Sequence, residues 1–275
     1  MYSYTRTGTV LLEIKGVSMS YGDKLILRDV NATVTDIHRD SVEQGQVICF
    51  LGPSGIGKTQ LSRIIAGLQK PTAGTVSLQG KPTAPGAVSM VPQHYPMFEY
   101  MTVAQNLRAA GKQVRPTLTD AKINEKATAF ITTFGLGEHL GKYPRELSGG
   151  TKQRVAIARQ MMCADRYMVM DEPFSGLDPI MKAKTTDAIT KLAQIHSHNT
   201  VIIVTHDVTE GLTVSDTVWM MGYEKGEDGS NVPGARLVET FDLAEMGFAW
   251  RPDLDHDPKF LEFVRHVKDR FKTLR

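Results

Sequence analysis

The chain has 275 residues, of which 41% are hydrophobic and 23% charged, and 32 Lys and Arg stand against 30 Asp and Glu for a net charge of +2. These values suit a globular protein with a sizeable core, and they argue against a strongly basic nucleic-acid binder. No apolar run is long enough to span a bilayer, residues 1–10 are polar and predict no secretory leader, and Cys49 and Cys163 lie in apolar stretches as small buried hydrophobes.

Residues 10–34 alternate apolar side chains (Leu12, Ile14, Val17, Met19, then Leu25, Leu27, Val30), and the pattern breaks at Tyr21-Gly22-Asp23. This predicts two antiparallel strands with Tyr21 displayed at the turn, where packing on the sheet is its simplest role. Residues 35–46 are polar and read as a surface hairpin extension, turning at Gln44-Gly45, with no chemistry.

Val47 to Leu51 predicts a buried strand that runs into Gly52-Pro53-Ser54-Gly55-Ile56-Gly57-Lys58-Thr59 and then a helix through Leu61, Ile64, Ile65 and Leu68. Strand, glycine-rich loop and helix is the context in which this motif cradles phosphate. The glycines let successive N–H groups face one anion, and the helix N-terminus adds its positive end. Lys58 supplies a point charge for the β- and γ-phosphates, and the Thr59 hydroxyl is a natural Mg²⁺ ligand. The chain is therefore expected to bind a nucleotide.

Residues 70–74 stop that helix, and strands are expected at 75–78 and 87–91. From about 96 to 143 the pattern turns helical (Val103, Leu107, Ala110, then Ile123, Ala127, Phe130), which predicts a lobe inserted between βα units. Ser148-Gly149-Gly150 opens a further helix, either as an anion-binding element or as an ordinary N-cap. Tyr167 to Asp171 is an apolar strand ending in Asp171-Glu172. At a strand end beside a phosphate loop, Asp171 can hold Mg²⁺ while Glu172, pointing elsewhere, polarises a water. Val201 to Val204 forms another strand ending at His206, on the side where open α/β sheets bind ligands. A last strand pair, 217–221 and 236–239, is separated by a Gly-rich charged loop.

These elements together resemble the nucleotide-binding subunit of ATP-binding cassette (ABC) transporters over roughly residues 11–240. The resemblance implies an α/β P-loop cassette with a mixed core sheet, an N-terminal antiparallel β subdomain and an α-helical lobe. It makes Gly52 to Thr59 the Walker A loop, Gln93 the Q-loop glutamine that touches Mg²⁺, and Leu147 to Gly150 the signature. Met168 to Glu172 becomes Walker B with its catalytic glutamate, Ser175 to Asp178 the D-loop, His206 the switch histidine and Tyr21 the adenine-stacking aromatic. Two departures stand out. Gln60 occupies a position where the family often has a second hydroxyl for the α-phosphate, and Thr151 replaces the signature's common glutamine.

The resemblance further implies ATP and Mg²⁺ as ligands and a homodimer, or paired cassette, that closes on ATP. In it Ser148, Gly149, Gly150 and Asp178 of one chain complete the site of the other. Partners are transmembrane permease subunits and, for an importer, a separate solute-binding protein, with no nucleic acid. The place is peripheral, on the cytoplasmic face of the bacterial inner membrane. The alternative is a soluble ATPase of the same family that drives cofactor or complex assembly. Residues 1–245 are expected to form the ATPase domain, with the helical lobe about 96–160, and 246–275 a helical tail with an apolar stripe at Phe260, Val264, Val267, Phe271 and Leu274. Phe98 and Tyr100 are expected to line a groove between the lobes, continuous with Gln93, that receives a partner helix.

Overall fold

The alternating N-terminal residues build a long antiparallel hairpin, β1 (Tyr4–Tyr21) and β2 (Lys24–Arg39), with Tyr21 opposite Lys24 across the turn. The computed structural model describes residues 4–39, 45–114, 117–163, 166–195 and 199–274. β3 (Gln46–Leu51) carries the chain into the phosphate loop and helix α1 (Lys58–Ile65). β4 (Ala73–Leu78) pairs antiparallel with the other side of β1, and β5 (Lys81–Pro82) closes that sheet in the order β2-β1-β4-β5.

β6 (Ser89–Val91), β7 (Tyr167–Asp171), β8 (Thr200–Thr205), β9 (Thr217–Gly222) and β10 (Arg236–Asp242) join β3 in a six-stranded sheet ordered β10-β9-β3-β8-β7-β6. Its strands are parallel except for β10, which runs antiparallel to β9, so the sheet is mixed. β3 lies inside it and is buried throughout, and its side chains divide by parity. Ile48 and Phe50 enter a core shared with Leu12, Leu27, Leu61 and Ile64, while Val47, Cys49 and Leu51 enter another shared with Ile189, Ile203 and Val264. Near-continuous apolar sequence in β3, β7 and β8 follows from burial on both faces.

Between β6 and β7 lies the helical lobe: α2 (Val103–Val114), α3 (Asp120–Thr133) and α4 (Gly149–Cys163). α5 (Pro179–Ala193) and α6 (Val208–Val214) follow β7 and β8, each started by an Asp cap, Asp178 and Asp207. α7 (Pro258–Lys272) begins with Asp257 accepting from the N–H of Lys259 at 2.8 Å, and with Pro at its first position. Phe260, Val264, Val267 and Leu274 are buried in the same core as β3, and Phe271 packs against it. Phe263, outside the expected stripe, meets Phe241 edge-on at 5.2 Å between ring centroids.

One expectation is overturned. Residues 35–39 are not surface extension but the end of β2, and Arg39 and Gln46 are buried. Arg39 pairs with Asp216 at the start of β9, whose other oxygen accepts from the Val47 N–H at 2.7 Å. A buried cation with a partner 177 residues away leaves no local pattern; Gln44 lies outside the described residues.

Candidate functional site

At the end of β3 the loop turns through Gly55 (φ +82°) and Gly57 (φ +104°), conformations that other residues adopt only at a cost. Gly57 is also tight: a Cβ there would lie 2.9 Å from the Leu27 side chain, so the loop is pressed onto the hairpin. Gly57 caps α1 without a side-chain hydrogen bond, which leaves the first N–H groups of the helix for an anion. Lys58 is only 5% exposed, and its Nζ donates to the carbonyls of Gly52 (2.9 Å) and Pro53 (3.1 Å) and pairs with Glu172 Oε1 at 3.1 Å.

Glu172 follows β7 with φ +52°, a left-handed conformation uncommon for a residue with a side chain, and its N–H is held by Val204 O at 2.7 Å. That turn aims its carboxylate across the strand ends. Oε2 sits 2.8 Å from His206 Nδ1 and accepts from the His206 N–H and the Thr205 hydroxyl, both at 3.3 Å. The preceding residue points the other way. Burial pushes the Asp171 carboxyl above its usual range, against the Thr59 hydroxyl beside it, and Asp171 Oδ1 is buried with no protein partner. An orphaned carboxylate oxygen next to a loop threonine is a hard-oxygen donor set that fits Mg²⁺.

A cavity of about 660 Å³ gathers these parts. Ser54, Gly55, Gly57, Lys58, Thr59 and Gln60 form one wall, Tyr21 a second, and Gln93, Glu172 and His206 a third. Gln93 Nε2 donates to Ser175 Oγ at 3.3 Å. Tyr21 is 51% exposed, with its hydroxyl bonded to Gln60. Ser175, the first residue of the expected D-loop, also lines the cavity, and so do Lys24 and Ile26, which were missed in the sequence. Lys24 and Ile26 come just after the Tyr21 turn, and only the loop packing on β2 marks them.

Other expected residues lie elsewhere. Gly52, Pro53 and Ile56 are buried behind the loop, and Ile56 packs in the core and donates its N–H to Pro53 O. Asp178 is exposed and caps α5 through the Met181 N–H at 2.9 Å. Ser148 and Gly149 are exposed at the start of α4, away from the cavity of their own chain, and Gly150 is buried against Met181.

A second cavity, about 390 Å³, shares Thr59 as a wall and is lined by Asp171, Arg63, Met97, Phe98 and Arg159. Arg159 bonds Pro96 O at 2.5 Å and lies 4.6 Å over the Phe98 ring. Tyr100 does not line this groove; it is 74% exposed, with its ring 5.9 Å from that of Phe98, and Gln93 lines the first cavity instead. The register of this non-periodic segment turns Phe98 inward and Tyr100 out.

The family described as ABC transporter matches residues 38–175. The sulfate/thiosulfate import ATP-binding protein CysA of Gloeobacter violaceus is 36% identical over 86% of this chain and 65% of its own length. The bicarbonate transport ATP-binding protein CmpC of Synechococcus elongatus is 35% identical over 80% of this chain and 32% of its own, so this chain spans only part of these relatives. The nitrate import ATP-binding protein NrtD of Synechococcus elongatus is 32% identical over 90% and 85%. Among solved structures, cbiO1 of Clostridium perfringens, part of an ABC transporter complex, aligns with a TM-score of 0.72 at 22% identity, covering 95% of this chain and 99% of its own. A dimeric bacterial ABC transporter cassette aligns with a TM-score of 0.66 at 23% identity, covering 85% and 99%.

Proposed function

This chain belongs to the ABC transporter family, and from that premise we propose that it is an ATP-hydrolysing subunit powering import of a small solute through separate permease subunits. One observation carries the reading: Tyr21, Lys58, Thr59, Gln93, Glu172 and His206, from five separate segments, face one cavity of about 660 Å³. That volume is within the range of small-ligand sites.

In this reading the Tyr21 ring stacks on adenine, and loop N–H groups with Lys58 bind the phosphates. Thr59, Asp171 and Gln93 would hold Mg²⁺, which neutralises phosphate charge when bound. Glu172 takes the proton of the attacking water, and His206, 2.8 Å from its Oε2, fixes the carboxylate in place. A γ-phosphate competes with Glu172 for Lys58 Nζ, so nucleotide binding loosens the pair that restrains the base.

Ser148, Gly149 and Asp178, exposed outside their own chain's cavity, are available to ATP held by a second cassette in a homodimer. In this reading the groove at Phe98 is the socket for a permease segment, and the subunit sits peripherally on the cytoplasmic face of the membrane. The relatives' names, import of sulfate, thiosulfate and nitrate, support a small anion as cargo; an importer of this kind would take it from a separate solute-binding protein. A soluble assembly ATPase draws no support from relatives named for transport.

Glu172→Gln tests the assignment. It should retain ATP binding, lose at least about 10²-fold in hydrolysis, and accumulate an ATP-bound dimer by size exclusion. Near-normal turnover would overturn the role of Glu172. Lys58→Ala should instead weaken ATP binding itself.

A further inference from the structure

The phenol of Tyr21 stands in the middle of a three-residue hydrogen-bond chain. Gln69 Nε2 donates to Tyr21 Oη at 2.6 Å, and Tyr21 O–H donates to Gln60 Oε1 at 3.0 Å. The direction of this chain is set at its far end. Gln69 Nε2 also lies 3.6 Å from Met19 Sδ, a weak acceptor that has no proton to give, so the amide turns its NH₂ toward both groups. With one N–H already donated to it, the phenol oxygen passes its own hydrogen on to Gln60. The oxygen of Gln60 is thereby occupied, and its NH₂ is the group left for a ligand in the cavity that Gln60 lines.

We propose that Gln69, acting through the Tyr21 hydroxyl, fixes the amide of Gln60 with its NH₂ toward the bound phosphates. Gln69 does not line the cavity, so it is a positioning residue for the nucleotide and makes no contact of its own. One relay then sets both ends of the site: it anchors a half-exposed ring at the base and orients a donor at the phosphates. The inference rests on the reading that this cavity takes ATP. It also departs from stacking alone, under which any aromatic ring at position 21 would serve equally.

The test reverses the relay. A carboxylate at position 69 can only accept, so Gln69→Glu draws the Tyr21 proton toward itself. The phenol oxygen then accepts from the Gln60 NH₂, and Gln60 turns its oxygen toward the phosphates. In the full chain with Mg²⁺, displacement of a fluorescent ATP analogue should show ATP affinity lower by roughly tenfold or more for Gln69→Glu. Gln69→Met and Tyr21→Phe, which break the relay without reversing it, should each lose roughly three- to fivefold. Adenosine, which has the base and no phosphate, should bind Gln69→Glu as it binds the wild type. Equal loss of adenosine would put the effect on the ring and overturn the amide assignment.

Simple charge repulsion from the new carboxylate is separated in a Gln60→Met background, where adding Gln69→Glu should change ATP affinity by less than about twofold. A full tenfold loss there would overturn the relay. If wild type binds ATP and the Glu, Met and Phe variants match it, the relay fails alone. If wild type binds no ATP, the reading of the site fails.

Discussion

Asp216 has no exposed surface, yet it holds three parts of the chain together. It pairs with Arg39, whose side chain is 4% exposed, accepts from Trp250 Nε1 at 2.8 Å, and accepts from the Val47 N–H at 2.7 Å. Asp216→Ala leaves a buried guanidinium without its carboxylate, at a cost of about 3–5 kcal/mol. It also orphans two N–H donors, each worth about 1–3 kcal/mol, although the three costs overlap and do not simply add. A net loss of about 4 kcal/mol at about 2–4 °C per kcal/mol lowers the melting temperature by roughly 8–16 °C. Circular dichroism melts and denaturant midpoints measure it. The double variant Arg39→Met with Asp216→Leu, which removes both charges, should lie nearer to wild type than Asp216→Ala does. A loss under about 1 kcal/mol for Asp216→Ala, or a double variant as damaged as the sum of its singles, would refute the buried-pair argument.

Phe260→Ala, emptying a fully buried ring position on α7 beside Phe248, should cost about 3–5 kcal/mol in thermal unfolding without changing ATP affinity. On the socket reading, Phe98→Ser should release the protein from the proposed permease in co-purification while sparing ATP binding; a variant that assembles and transports normally would make the groove packing only. Burial, with Asp207 adding to it, raises the Glu210 carboxyl above its ordinary 4.5. The folded state therefore holds that proton more tightly than the unfolded one, and stability falls as pH rises from about 4.5 through the raised value. Glu210→Gln should raise the melting temperature at neutral pH and lose that advantage in acid; an equal gain at both would discard the titration argument.

The phosphate loop, the acids at the end of β7 and the histidine after β8 were legible because each is local: an apolar strand followed at once by its chemistry. The parallel sheet was legible for the same reason, since strands buried on both faces read as continuous apolar runs. What escaped depends on contacts far apart in the chain. Arg39 reads as one more charge in a polar segment until Asp216 is placed beside it. Lys24 and Ile26 face the cavity beside the loop only because Gly57 presses the loop onto β2. Tyr21 was readable as an aromatic at a turn, but the use of its hydroxyl depends on Gln69, which sits 48 residues away. Tyr100 and Phe98 share a segment without periodicity, so their opposite orientations had no sequence signal.

The odd and even residues of β3 serve different halves of the molecule, and this makes the strand a reading frame. Inserting or deleting one residue at the start of β3 would exchange the two sets, sending Ile48 and Phe50 toward the core of Ile189 and Val264 and Cys49 toward the core of Leu12 and Leu61. A two-residue change would keep the faces, yet it would slide Leu51 off Thr205 and carry the loop by nearly 7 Å relative to Glu172 and His206. Neither kind of length change leaves Lys58 opposite its carboxylate. Variation in chain length therefore has to be absorbed outside β3, where no distance across the cavity is counted in residues.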